Sequence, residues 1–242
     1  MSDIFQANSA LIALSGGVDS AVLLARAKEA GLTLHAATVI SEFTPSAEIK
    51  AAEELAARFD VPWHPVCIGL LVFEDIRQNP LERCYLCKKI IMREMKSLAL
   101  RLDMEAVFDG THADDLSKDR PGIRALKEEG IISPFALAGI GKADILSEAK
   151  RLGISAAPPS ACLATRIPFG TVLTEELLET VDAAEGILRD GGVLGVLRVR
   201  IDGWRAVVET EPAARQTAKL YENKLKQLGI EEVSYRDYSA GV

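Results

Sequence analysis

The chain has 242 residues, a net charge of −7, and 48% apolar and 26% charged side chains. That is enough apolar material for one sizeable α/β core with a smaller appended unit, while no apolar run approaches the roughly 20 residues a membrane helix needs. The acidic balance argues against a protein held to nucleic acid by charge alone, and the opening MSDIFQANSALIALSGG has neither the basic start nor the cleavage site of a secretory leader, so the expected location is the cytoplasm.

Ala10–Leu14 is a continuous apolar run that stops at Ser15-Gly16-Gly17, the pattern of a buried parallel strand. Val18 to Ala30 reads as a helix ended by Gly31. Leu34–Ile40 is a second strand, Pro45–Phe59 an Ala- and Glu-rich helix and Trp63–Ile68 a third strand. A long helix over Cys84–Leu102 leads to a short strand, Ala106–Phe108. This alternation predicts a parallel sheet covered on both faces. Asp114–Gly122 reads as a loop because of its Pro-Gly punctuation. Lys142–Leu152 is a helix, and Ala156–Ser160 an extended linker. Beyond the linker the pattern changes. Thr174–Arg189 is a helix with Thr174 as its cap and Glu175 and Glu176 in the first turn. Leu194–Ile201 and Trp204–Glu209 form a hairpin about Asp202-Gly203. Pro212–Leu228 reads as one helix and Val233–Tyr238 as an edge strand.

Three motifs carry chemistry. In SGGVDS, glycines at a strand-to-helix turn let backbone N–H groups approach an anion, and Ser15 and Ser20 add hydroxyls. The loop lacks the lysine of GxxxxGK[ST], so it is a different phosphate site. Asp19 is suited either to helping hold Mg²⁺ or to stabilising a helix first turn. Cys84-Tyr85-Leu86-Cys87 puts two thiols on one helix face, where the helix start and Arg83, Lys88 and Lys89 favour thiolate. Spacing alone leaves zinc, an iron–sulfur cluster and a redox pair open. Cys162 is remote in sequence, and Cys67, at the end of a strand, reads as a core residue. Asp109-Gly110-Thr111-His112-Ala113-Asp114-Asp115 follows a strand at the carboxyl edge, where α/β sheets bind ligands.

SGGxDS in this setting resembles the PP-loop of the N-type ATP pyrophosphatases, which cleave ATP between the α- and β-phosphates. Together with NPLERCYLCKK, DGTHADD, DRPG and PSACLATRIPFGTVLTEELL, it is similar over nearly the whole chain to the LarE family of ATP-dependent sulfur transferases. The resemblance implies an α/β fold: a parallel-sheet PP-loop ATP pyrophosphatase domain, of the adenine nucleotide alpha hydrolase type, over 1–165. A smaller α+β C-terminal domain over 166–242 would serve substrate binding or oligomerisation. It implies ATP and Mg²⁺ at Ser15, Gly16, Gly17, Asp19, Ser20, Asp109, Gly110, Thr111 and Asp114, and a homo-oligomer. Family members adenylate a carboxylate of pyridinium-3,5-biscarboxylic acid mononucleotide and convert it to a thiocarboxylate, on the route to the nickel-pincer nucleotide cofactor. In the single-cysteine members, the cysteine of PSACLA gives up its sulfur and becomes dehydroalanine; that residue is Cys162 here. The added Cys84 and Cys87 resemble the cluster-bearing members, in which three thiolates hold a 4Fe–4S cluster. Zinc held with His112, or inert thiols, are the alternatives. His112 itself stands where the family leads one to expect Asn.

The hairpin supports a separate inference. A two-residue Asp202-Gly203 turn pairs Arg200 with Arg205 and Arg198 with Val207, which puts Arg198, Arg200 and Arg205 on one face and Leu197, Val199 and Ile201 on the other. Facing arginines need an anion, and Arg198 and Arg200 are assigned to the substrate 5′-phosphate, with Arg166 as a further candidate; Arg120, in DRPG beside the carboxylate loop, is either a phosphate contact or a solvated loop arginine. A solvated face or subunit contact is the alternative. Glu185 and Glu209 either bind a metal or order the arginines. Competing functions are a PP-loop tRNA thiolase, disfavoured by the acidic charge, an amide-forming PP-loop ligase, which has no use for Cys84 and Cys87, and a non-catalytic nucleotide-binding protein.

Overall fold

The computed structural model describes residues 4–116, 121–155 and 161–239. Arg120, the 156–160 linker and the Pro159-Ser160 start of the PSACLA motif lie outside the described residues. In chain order the elements are β1 (Ser9–Ala13), α1 (Val18–Glu29), β2 (Thr33–Ile40), α2 (Ser46–Arg58), β3 (Trp63–Cys67), α3 (Glu74–Arg77), α4 (Arg83–Arg101), β4 (Ala106–Phe108), α5 (Ala113–Leu116), α6 (Pro121–Glu128), α7 (Pro134–Leu137), α8 (Lys142–Arg151), α9 (Glu175–Asp190), β5 (Leu197–Asp202), β6 (Arg205–Thr210), α10 (Arg215–Lys219), α11 (Glu222–Lys226) and β7 (Glu232–Asp237). Among the described residues, no helix is long and apolar enough to cross a membrane.

The chain divides into two compact units. The first, Met1–Ser41 with Glu48–Ile68 and Glu82–Ala156, contains a parallel four-stranded sheet in the order β3-β2-β1-β4. It is buried on both faces, as its apolar strands require. Ala10, Ile12 and Leu14 of the β1 segment pack with Leu23 and Leu24 of α1 and Ile145 of α8. Leu11, pointing the other way, packs with Met92, Met95 and Ala99 of α4 and Leu126 of α6. The strand order reverses between β1 and β4, because β2 and β3 extend to one side of β1 and β4 lies on the other. The crevice outside the carboxyl ends of those two strands is the standard ligand position of an open α/β sheet. SGGVDS leaves β1 there, and Asp109-Gly110-Thr111 leaves β4.

The second unit, Glu42–Ala47 with Gly69–Leu81 and Ala157–Val242, holds a three-stranded sheet in the order β5-β6-β7, antiparallel then parallel. Leu178, Val181, Ala184 and Leu188 recur at helical spacing on α9 and are buried, as are Leu197, Val199 and Ile201 of β5. Thr174 caps α9, its Oγ1 accepting from Leu177 N at 3.2 Å.

Several expectations are corrected. The hairpin turns at Gly203-Trp204, not Asp202-Gly203, with Gly203 at φ +58°. Arg198 therefore pairs with Glu209, Arg200 with Val207 and Asp202 with Arg205. This pairing differs from the expected one by two residues, so every side chain keeps its face, and Arg198, Arg200 and Arg205 do share one. The facing of Arg200 and Arg205 does not occur. Pro121-Gly122 opens α6 instead of closing a loop, because proline suits the first helical position, where its missing N–H costs nothing. Pro212–Leu228 is not one helix: a 3₁₀ turn at Pro212–Ala214 precedes two short helices, α10 and α11. Cys67 is exposed, not core, because it ends the edge strand β3.

Candidate active site

The glycine loop in the first unit is shaped by its own small residues. Gly16 has φ +76°, and a Cβ there would lie 2.5 Å from the Glu48 carbonyl oxygen, so the loop can run this close to α2 only with glycine. Gly17 is the N-cap of α1. The buried Ser20 hydroxyl donates to Gly17 O at 3.1 Å and accepts from Ser15 N at 3.2 Å. It braces the loop from beneath, while Ser15 stands exposed at its mouth. Gly16→Ala is expected to cost about 1–3 kcal/mol through the positive φ and the backbone clash, and to weaken ATP binding further by moving the amides. Denaturant unfolding and nucleotide titration check both; an ATP affinity equal to wild type would mean the loop is not the phosphate site.

The second loop is locked onto the first. A Cβ on Gly110 would meet Ser20 N at 2.9 Å and the Asp19 carbonyl carbon at 3.1 Å, so the start of α1 rests directly on this glycine. Asp109 is buried; its two oxygens accept from Thr111 Oγ1 at 2.6 Å and from Ser133 Oγ. Asp109 and Thr111 thus hold the loop in shape. His112 is 8% exposed, its Nε2 lying 3.4 Å from the Asp115 carboxylate. Its buried Nδ1 has no hydrogen-bond partner among the described residues and sits 3.8 Å from Asp114. Asp114 accepts the backbone N–H of Lys142 at 2.7 Å. The Lys142 ammonium in turn binds both oxygens of Asp19, at 2.7 and 2.9 Å. Lys142 was not legible as a site residue. The available signal was a basic residue opening a helix, where the dipole disfavours positive charge and an anionic partner is called for.

Cys84 lies in the first turn of α4 and is exposed; Cys87 begins the second turn and is half-buried. The Arg83 guanidinium reaches the Cys84 sulfur at 4.0 Å. Tyr85 between them is pinned: its hydroxyl donates to Glu128 at 2.7 Å, and the Arg124 guanidinium lies 3.9 Å above its ring. None of the four cysteines forms a disulfide. Among the described residues, no group of three His, Cys, Asp or Glu side chains is gathered so as to hold a metal ion. Cys84, Cys87 and His112 belong to the first unit and Cys162 to the second.

In the second unit, Cys162 precedes a 3₁₀ turn, Leu163–Arg166, and its carbonyl is fastened by Thr165 N at 3.0 Å and Thr165 Oγ1 at 2.8 Å. Arg166 is 2% exposed. It forks onto Glu185 with Nε–Oε1 at 2.8 Å and Nη2–Oε2 at 3.1 Å, and its Nη1 donates to the Ala161 carbonyl at 2.6 Å. Glu185 also accepts the Val199 N–H at 3.0 Å, satisfying a group on the unpaired edge of β5. Arg166 is thus committed to holding the Cys162 turn. Arg200 donates to Glu209 at 2.9 Å and to the Thr165 carbonyl at 3.1 Å. Burial alone would raise the Glu209 carboxyl, but hydrogen bonds from Arg200 and Arg236 overcome it and hold it below the usual carboxylate range. Arg198 is placed differently: its Nε is buried without a hydrogen-bond partner among the described residues, and its guanidinium lies 4.8 Å from the Tyr238 ring centroid. Of the two roles open to Glu185 and Glu209, the geometry matches the ordering of arginines.

A parallel sheet whose switch point carries SGGVDS locked against a carboxylate loop defines an ATP-using enzyme of the PP-loop class. The asparagine synthase family model matches residues 7–81, covering this loop. An uncharacterised protein of Methanocaldococcus jannaschii is 34% identical over 245 residues, 97% of this chain and 93% of that one. An uncharacterised protein of Synechocystis is 35% identical over 84% of this chain and 76% of its own length. The pyridinium-3,5-bisthiocarboxylic acid mononucleotide synthase of Lactiplantibacillus plantarum is 30% identical over 84% of this chain and 75% of its own. The chain belongs to the LarE-type family of PP-loop enzymes, of which that synthase is a member.

Proposed function

We propose that the chain is an ATP-dependent sulfur transferase that adenylates a carboxylate of pyridinium-3,5-biscarboxylic acid mononucleotide and turns it into a thiocarboxylate for nickel-pincer cofactor synthesis. The observation that carries the reading is the Gly110 contact that locks the Asp109–Thr111 loop onto the glycine loop, in a chain 30% identical to a bisthiocarboxylic acid mononucleotide synthase. The glycine-loop amides bind the ATP phosphates. Magnesium accepts one or two carboxylates besides phosphate oxygens, and the half-exposed Asp19 at the loop fits that need. The substrate carboxylate attacks the α-phosphate, pyrophosphate departs and an acyl-adenylate remains. Arg198, with its unpartnered Nε, and Arg200 receive the substrate 5′-phosphate.

Sulfur delivery is assigned to Cys162. Its thiolate attacks the acyl carbon and AMP leaves with the bonding pair. Loss of the Cys162 α-proton then breaks the Cβ–S bond, so the thiocarboxylate departs and dehydroalanine stays in the chain. No oxidant or reductant is required. Residues 1–165, which include Cys162, would carry activation and sulfur delivery, and 166–242 substrate binding or oligomerisation. The test is anaerobic turnover with ATP and the biscarboxylated mononucleotide, reading pyrophosphate and thiocarboxylate together. Both should form in equal amounts; ATP binding without substrate-dependent pyrophosphate release would leave only a nucleotide-binding protein.

A further inference from the structure

We infer that Lys142 is a phosphate-binding residue of the ATP site, held in reserve by Asp19 until nucleotide arrives; this rests on the adenylating function proposed above. Three contacts within the first unit carry it. Lys142 is the first residue of α8, and its Nζ sits 2.7 and 2.9 Å from the two Asp19 oxygens, over the opening turn of α1. Its backbone is aimed there by Asp114, whose carboxylate accepts the Lys142 N–H at 2.7 Å and lies against Gly141, where a Cβ would come within 3.1 Å of it. Gly110, in the loop that leads into the helix carrying Asp114, rests on Ser20 and Asp19. A carboxylate loop, a helix start and the glycine loop are thereby tied into one cradle with an ammonium at its rim.

The electrostatics give this arrangement a purpose. A glycine loop built to receive a polyphosphate carries an acid, Asp19, at its edge, which alone would repel the ligand. The ammonium neutralises it. Both side chains are about one-third exposed, so neither is committed by burial and the pair can part. When ATP enters, the phosphates offer the lysine a denser negative charge than one carboxylate, and a compact, flexible ammonium can follow them by rotation. Asp19 is then released towards the cation that accompanies the nucleotide. The lysine missing from the loop motif itself is supplied in this way from another helix.

The test is binding, not turnover. Lys142→Met should weaken ATP and pyrophosphate by roughly ten- to hundredfold, the loss of a charge-assisted hydrogen bond or two, while AMP changes by less than about threefold, since the contact is with the leaving phosphates. Asp19→Asn, which frees the lysine, should tighten pyrophosphate measured without divalent metal. Unchanged ATP and pyrophosphate affinity in Lys142→Met, or an equal loss for AMP, would overturn the assignment and leave a structural ion pair. A wild-type protein that binds no ATP would overturn the adenylating function itself.

Discussion

Cys162→Ser is expected to abolish thiocarboxylate formation while substrate-dependent pyrophosphate release continues. The two half-reactions draw on different parts of the chain. In the proposed reaction, activation uses the loops at the β1 and β4 ends, and no atom of Cys162 enters it. The serine hydroxyl is close enough in size to keep the turn, which is fastened through the Cys162 carbonyl. It is a far weaker nucleophile at neutral pH and has no sulfur to leave behind. Acyl-adenylate should accumulate and hydrolyse, so pyrophosphate appears without thiocarboxylate. Intact mass then discriminates the sulfur source. A wild-type chain that has turned over should be lighter by one H₂S, with dehydroalanine at position 162, and should turn over once. An unchanged mass with repeated turnover, together with iron in the anaerobic protein and activity lost in Cys84→Ala, would remove Cys162 as the source and restore the three-cysteine cluster.

How much of this was legible in the sequence depended on which interactions are periodic or local. The buried strand before SGGVDS, the long helix after Arg83 and the Thr174 cap follow from apolar period and local hydrogen bonding, and the structure reproduces them. The faces of the arginine hairpin were readable because alternation survives a two-residue change of pairing; the pairing itself was not, because Asp202-Gly203 and Gly203-Trp204 both put glycine in a two-residue turn. Partners distant in sequence left only indirect traces. Glu185, on the apolar face of α9 with Val181, Ala184 and Leu188, required a buried cation, but nothing local said that this was Arg166. Lys142 at a helix start likewise required an acid, and Asp19 lies 123 residues away.

That same buried pair supports the strongest stability prediction: Arg166→Met should cost about 3–5 kcal/mol, the loss typical when one partner of a buried ion pair is removed. The pair is a closed fork, with Glu185 6% exposed and Arg166 less so. Methionine would leave Glu185 as an unpaired charge that still accepts the Val199 N–H, and would strip the Ala161 carbonyl of its donor. Denaturant unfolding should show the midpoint fall by that amount. Because Arg166 holds the Cys162 turn, the variant should also change the rate at which Cys162 is alkylated under native conditions, against an unchanged rate at exposed Cys84, a readout that general loosening would move at both. The double variant Arg166→Met, Glu185→Leu removes both charges. It should regain most of the lost stability, since two apolar side chains can replace a buried pair at little cost, yet it should not restore the Cys162 alkylation rate, because the Ala161 and Cys162 carbonyls still lack the guanidinium. A single variant within about 0.5 kcal/mol of wild type, the range of an ordinary surface change, would show that the fork is not what fixes this turn. Recovery of stability without recovery of thiol reactivity would instead separate the two tasks of Arg166: neutralising Glu185 inside the core, and presenting the backbone on which the sulfur-bearing residue is mounted.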